Sequence, residues 1–204
     1  IQKKDFLRLL TRCASVASKK ATMPALTAVL LTATKGALRV AATDTFMWIT
    51  DGALAEVTET GAVAVNARDI HARVASMPDG PLAVKVTDGK IAIKAGARKF
   101  TLSTIPASDY PELPRVEMTG PPKLAVEPAE LARLIELVKI SISPDETRPH
   151  LNSALFEWAE NRIRMVSTNG HMLSMADHAI EHDVKASMLV PLRVLVEVTK
   201  IAAS

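Results

Sequence analysis

Cysteine is nearly absent: one residue, Cys13, stands among 204. A single thiol excludes an internal disulfide and fits a reducing compartment, so a cytoplasmic protein is expected. Aromatics amount to 3% of the chain, two Trp, one Tyr and four Phe, too few for base-stacking platforms. No apolar run approaches the ~20 residues of a membrane helix, and the amphipathic start IQKKDFLRLL lacks the apolar core of a signal peptide. Neither G-x-x-x-x-G-K-[ST] nor G-x-G-x-x-G occurs, and there is no C-x-x-C, so nucleotide-cradling loops and thiolate zinc sites have no sequence support. Charge of one sign is also missing. The 25 Lys and Arg against 22 Asp and Glu leave a net of +3, which alone does not argue for nucleic acid.

What the chain does have is an internal echo. PHLNSALFEWAENRIRMVSTNGHML, Pro149 to Leu173, falls without a gap on PALTAVLLTATKGALRVAATDTFMW, Pro24 to Trp48. Pro24 meets Pro149, Leu26 meets Leu151, Arg39 meets Arg164, Thr43 meets Thr168 and Met47 meets Met172. The same register sets DFLRLLTRC (Asp5 to Cys13) on ELARLIELV (Glu130 to Val138), and Val65 and Arg68 on Val190 and Arg193. One shift across helix-like and strand-like segments marks a duplicated folding unit. Two domains are therefore expected, 1–120 and 121–204, separated in a stretch carrying Pro106, Pro111, Pro114, Pro121 and Pro122 that reads as an extended connector. In that alignment Ser204 meets Asp79. The second copy is thus expected to be truncated and the chain to be part of a longer protein.

Within each copy a helix precedes several strands, twice over. Phe6, Leu9, Leu10, Cys13 and Val16 share one face of a helix over Asp5 to Ser18, which makes Cys13 a core thiol. Strands are expected at Leu26–Thr34, Leu38–Thr43, Phe46–Thr50 and Ala62–Asn66, with Lys35-Gly36 and Asp51-Gly52 as turns. A helix over Arg68–Met77 leads to a hairpin around Asp88-Gly89 and a strand at Phe100–Thr104. The second copy repeats the order: a helix over Glu127–Ile142, strands near 153–158, 162–168, 171–177 and 188–190, then a helix over Leu192–Ala203. This alternation is α+β. His178 and His182 are four apart but lie in strand-or-loop sequence without a third ligand, so no metal is expected. Ser167, His171 and Asp177 fall on one short hairpin, without the nucleophile elbow that a hydrolase would need.

T-N-G-H-M-L at 168–173, V-P-L-R-V-L-V-E at 190–197 and FTLSTIPASDYPELP at 100–114 make the chain resemble the bacterial replicative sliding clamp, the beta subunit of DNA polymerase III, along essentially its whole length. The resemblance implies a DNA-clamp fold: repeated domains with two helices packed on antiparallel sheets, three to a chain, the third absent here. It implies a non-catalytic processivity factor that pairs into a homodimeric ring around duplex DNA and needs no cofactor. Polymerase, clamp loader and repair proteins would dock through short linear motifs. Lys20 and Arg148 match positions where that family touches the DNA backbone. Helix-face cations at Arg8, Arg12, Arg68, Arg73, Arg133, Lys139, Arg193 and Lys200 are further candidates, since sliding needs phosphate attraction without base readout. The part of the family's peptide pocket present here is Leu151, Thr168, Gly170, His171, Met172 and Leu173. Asn169 and Met172 depart from the family's usual Asp and Arg. Lys99, Phe100 and Leu102 match the subunit junction, on an edge strand expected to expose Phe and Leu. Two other readings stay open: a partial clamp-like paralogue that binds clamp-motif peptides or clamp subunits without encircling DNA, and a hydrolase using His171.

Overall fold

The computed structural model describes residues 1–18, 22–112 and 125–202. It divides into two compact units, Ile1–Arg115 and Val116–Ser204. The first contains α1 (Lys3–Ala14), β1 (Ala28–Thr34), β2 (Ala37–Thr43), β3 (Trp48–Leu54), β4 (Gly61–Asn66) and α2 (Ala67–Ala75). It continues with β5 (Ala83–Thr87), β6 (Lys90–Ala95), β7 (Arg98–Ser103) and the two-residue β8 (Ile105–Pro106). The second contains α3 (Pro128–Lys139), β9 (Ser153–Ala159), β10 (Arg162–Thr168), β11 (Leu173–Ala179), β12 (Ala186–Pro191) and α4 (Leu192–Ala202). Each unit sets two helices against antiparallel sheet, and the fold is α+β.

The duplication extends to the hydrogen-bond ladders. In the first unit the strand order is β3-β2-β1-β4-β8, and in the second β11-β10-β9-β12. Leu30 pairs with Ala41 as Leu155 pairs with Val166; Val29 with Val65 as Ala154 with Val190; Arg39 with Gly52 as Arg164 with Asp177. A one-residue slip would turn every side chain to the other face of the sheet, so identical register in three successive pairings means that both copies bury the same positions. The cores agree. Leu9, Leu10 and Cys13 of α1 are fully buried with Val29 and Val40, as Leu134, Ile135 and Val138 of α3 are with Ala154 and Met165.

Several expectations need correction. The first helix runs from Lys3 to Ala14 rather than to Ser18, although all five predicted core residues are buried. Asp51-Gly52 is no turn: both residues lie inside β3, with Gly52 opposite Arg39. Asp88-Gly89 is a turn, and both its residues have positive φ (52° and 69°), the signature of a type I′ hairpin. Phe46 belongs to the turn before β3. The proline-rich connector is partly folded, because β8 pairs with β4 and Tyr110 is buried against Ala25, Ala28 and Ala64. The predicted boundary near residue 120 lies outside the described residues.

The Cys13 thiol donates to the Val40 carbonyl at 3.3 Å, and burial above all pushes its pKa up to about 12. A protonated, inaccessible sulfur is a poor nucleophile. Iodoacetamide at mildly alkaline pH should leave the folded chain unmodified and label it fully in denaturant; prompt labelling of the folded chain would contradict this burial.

Candidate functional site

The candidate peptide-site residues gather at one end of the second unit's sheet, where β10 ends at Thr168 and β11 begins at its partner Leu173. Two side chains shape the turn between them. Thr168 Oγ1 donates to the Met172 carbonyl (2.7 Å) and accepts from the Gly170 N–H (3.1 Å), while Asn169 Oδ1 accepts from the His171 and Met172 N–H groups, both at 2.9 Å. Gly170 sits at φ +91°, where a side chain would be strained. The first unit builds the same turn from Thr43, Asp44 and Thr45. Thr43 Oγ1 donates to Met47 and accepts from the Thr45 N–H, and Asp44 Oδ1 accepts from Phe46 and Met47. Only an acceptor oxygen is needed at the second position. Asn169 for Asp therefore preserves the turn and removes one negative charge.

The consequence is a set of outward side chains on a fixed backbone. Leu173 is 68% exposed and Met172 50%, next to exposed Gly170, His171 and Met175. Leu151 is half-buried, and its carbonyl accepts from the Ser143 N–H at 2.9 Å. Ser141, two residues earlier, bonds Ser174 of β11 at 2.6 Å. Leu151 thus joins the Thr168–Leu173 turn at the same sheet end through a segment tied to β11. The Ser141–Ser174 link and the exposure of Met175 have no local sequence signature, because the two serines come together only when α3 packs on β11.

The cations divide into two groups. Arg8 and Arg12 both grip Asp51 of β3, at 2.7 and 2.9 Å, so this carboxylate binds α1 to the sheet. Arg133 pairs with Glu130, Lys139 with Glu136 and Lys200 with Glu197, all at i,i+3. The Arg133 guanidinium, and secondarily His178, holds the Glu130 carboxyl below its ordinary pKa. Arg148 is exposed and only loosely opposed by Asp145 at 3.5 Å. Arg68 and Arg73 are exposed on α2, with no side-chain partner among the described residues, and Arg193 opens α4 in the corresponding place of the second unit. Lys20 lies outside the described residues.

Sheet order puts β7 at an edge, as expected of a junction strand, but Phe100 and Leu102 are not displayed there. Both turn inward and pack against the core beside Ile91 and Ile93, leaving Lys99 exposed. The remaining sequence candidates are not brought together. Ser167 donates to the Val138 carbonyl, Asp177 pairs with Arg164, and His171 is exposed. His178 approaches Glu130 at 3.0 Å, while His182 Nε2 lies 3.0 Å from the Arg162 carbonyl, so the two imidazoles serve different partners.

Residues 1–114 match the N-terminal domain of the DNA polymerase III beta subunit, and residues 125–204 match its central domain. The chain belongs to the DNA polymerase III beta subunit family. It is 32% identical to the beta sliding clamp of Pseudomonas putida over 98% of its own length, and 30% identical to that of Escherichia coli K12 over the same share. Among solved structures it resembles a DNA polymerase sliding clamp from Caulobacter crescentus (TM-score 0.88, 30% identity) and the DNA polymerase III subunit beta of Pseudomonas aeruginosa (TM-score 0.88, 28% identity). Each covers all of this chain, which in turn covers 56% of either structure. The chain spans about half the length of the curated relatives it matches, 55% of each beta sliding clamp named above.

Proposed function

We propose that this chain is the first clamp domain and the greater part of the second of a replicative sliding clamp, with the boundary near residue 120. The observation that carries the reading is one folding unit used twice, in identical register, across a chain whose relatives are beta sliding clamps. A ring built by repeating a unit holds DNA topologically, so it needs no base contacts and no reaction chemistry. Arg68, Arg73, Arg148, Arg193 and Lys20 supply phosphate attraction to duplex DNA together with Arg8, Arg12, Arg133, Lys139 and Lys200, and a carboxylate held beside a cation within the chain lowers what that cation contributes. The Thr168–Leu173 turn, with Leu151, forms part of a docking site for short linear motifs of the polymerase, the clamp loader and repair proteins. Tethering them raises their effective concentration at the template without catalysis by the clamp itself. The β7 edge, through Lys99 and the backbone around Phe100 and Leu102, pairs with a second subunit, and the ring works in the cytoplasm.

The test is topological. The complete gene product, loaded on nicked circular DNA, is expected to stay bound through a high-salt wash and to be lost once the circle is linearised. Retention on linear DNA with open ends would refute encirclement.

A further inference from the structure

A cleft of about 610 Å³ lies between α1 and the start of α2, and its lining includes Thr11, Ser15, Thr27, Arg68, Asp69 and His71. Three of its hydroxyls spend their hydrogens locally. Thr11 Oγ1 donates to the Leu7 carbonyl at 2.8 Å, Ser15 Oγ to the Arg12 carbonyl at 2.7 Å and Thr27 Oγ1 to the Pro24 carbonyl at 2.8 Å. A hydroxyl has one hydrogen, so these oxygens offer a ligand only lone pairs. His71 Nε2 lies 3.0 Å from Thr11 Oγ1. That oxygen can only accept, which assigns the hydrogen of the neutral imidazole to Nε2 and leaves Nδ1 as an acceptor. Nδ1 has no hydrogen-bond partner among the described residues.

The charges around the ring are few. On α2 itself, Arg68 and Asp69 precede His71 and Arg73 follows it. On α1, Lys4 shares the Thr11 stripe two turns earlier, Lys3 is paired with Asp79, and Arg8 and Arg12 turn to Asp51. Of the strands packed against α2, β1 and β4 carry no charged residue. On β7, Arg98 donates to the Ser76 carbonyl beyond the far end of α2, and Lys99 is exposed.

We infer, from the reading of α2 as DNA-facing, that this cleft is a subsite for a backbone phosphate of duplex DNA, held by His71 through Nδ1 when the imidazole is protonated. Protonation adds a charge and turns Nδ1 from an acceptor, which repels a phosphate oxygen, into a donor. The Nε2–H keeps its bond to Thr11, so the ring is aimed in advance. Arg68, one turn earlier on the same helix, reaches the same phosphate or its neighbour. Ala14, Ala67 and Ala72 complete much of the lining, leaving a peptide no large apolar wall and a phosphate no obstacle. Only the charged ring contributes, so DNA binding takes up a proton here and affinity rises as pH falls. Lysine and arginine stay charged throughout this range, which sets His71 apart from the cations named above.

The complete gene product is titrated onto a fluorescent linear duplex in about 0.1 M salt, at about pH 8 and about pH 5.5. On acidification, wild-type binding should tighten roughly five- to tenfold more than that of His71→Gln, the gain from one further phosphate contact at that salt. Its slope of log K against log salt should steepen by about 1, and His71→Gln should lose that change. His71→Arg should keep the steeper slope at both pH values. All other histidines remain in every variant, so the difference between proteins isolates His71, and thermal unfolding confirms that each is folded. Equal pH responses in wild type and His71→Gln, with Arg68→Ala still weakening binding, would overturn the subsite and leave the clamp reading standing. No effect from Arg68→Ala or from either histidine variant would overturn both the subsite and the DNA-facing α2. If His71→Gln fails to fold, His71→Arg decides: a pH response equal to that of the wild type would sink the proposal.

Discussion

Leu173→Asp in the complete gene product should weaken a fluorescent clamp-motif peptide by roughly 1–3 kcal/mol, about 5- to 150-fold, because the bound state would hide an unpaired carboxylate where an apolar wall is needed. The free protein should scarcely notice. Leu173 is 68% exposed at the start of β11, and the turn before it is held by Thr168 and Asn169, neither of which the substitution touches. Surface changes of this sort shift stability by only about 0.5 kcal/mol, so a folded protein with reduced peptide affinity is the expected pairing. Fluorescence anisotropy together with thermal unfolding measures both halves. An unchanged dissociation constant would place the docking site elsewhere, and a collapsed melting temperature would show that Leu173 supports the fold.

Reversing Arg68 and Arg73 together to glutamate should lower DNA affinity at least tenfold at moderate salt. It should also flatten the plot of log K against log salt by about 2, since two fewer phosphates release their counterions. Arg133→Ala should do far less. The Glu130 carboxylate already spends that guanidinium's charge locally, and an exposed pair of this kind is worth only about 0–1 kcal/mol to the fold. A salt titration of binding to linear duplex DNA distinguishes the cases. Equal losses from the α2 pair and from Arg133 would mean that the internal carboxylates do not discriminate among these cations. No loss from the double reversal would remove α2 from the DNA-facing surface.

The dipeptide Asp-Gly shows where local reading succeeds and fails. At 88–89 it makes a hairpin turn, since nothing outside the hairpin asks anything else of it. At 51–52 the same two residues run on within β3, with Gly52 opposite Arg39 and the carboxylate captured by Arg8 and Arg12. Intrinsic turn preference is worth too little to oppose a strand ladder and two ion pairs. The arginines themselves lie 43 and 39 positions away, beyond the reach of any periodicity. The β7 strand failed differently. Its alternation is plain in Lys99, Phe100, Thr101 and Leu102, but alternation separates two faces without naming the buried one. Ile91 and Ile93 across the ladder decide it. The candidate turn was the most legible part: Thr168 and Asn169 act through oxygens that bond their own neighbours, so their spacing alone defines the geometry.

By itself the sequence determined the duplication, the buried face of each helix and the shape of the Thr168–Leu173 turn. These depend on residue identities a few positions apart or on one constant shift along the chain. Tertiary structure alone decided which cations lie beside a carboxylate and which face of β7 enters the core. Those outcomes rest on carboxylates, isoleucines and strand neighbours delivered from distant segments, and an ion pair or a filled core position exists only once folding has brought both sides together.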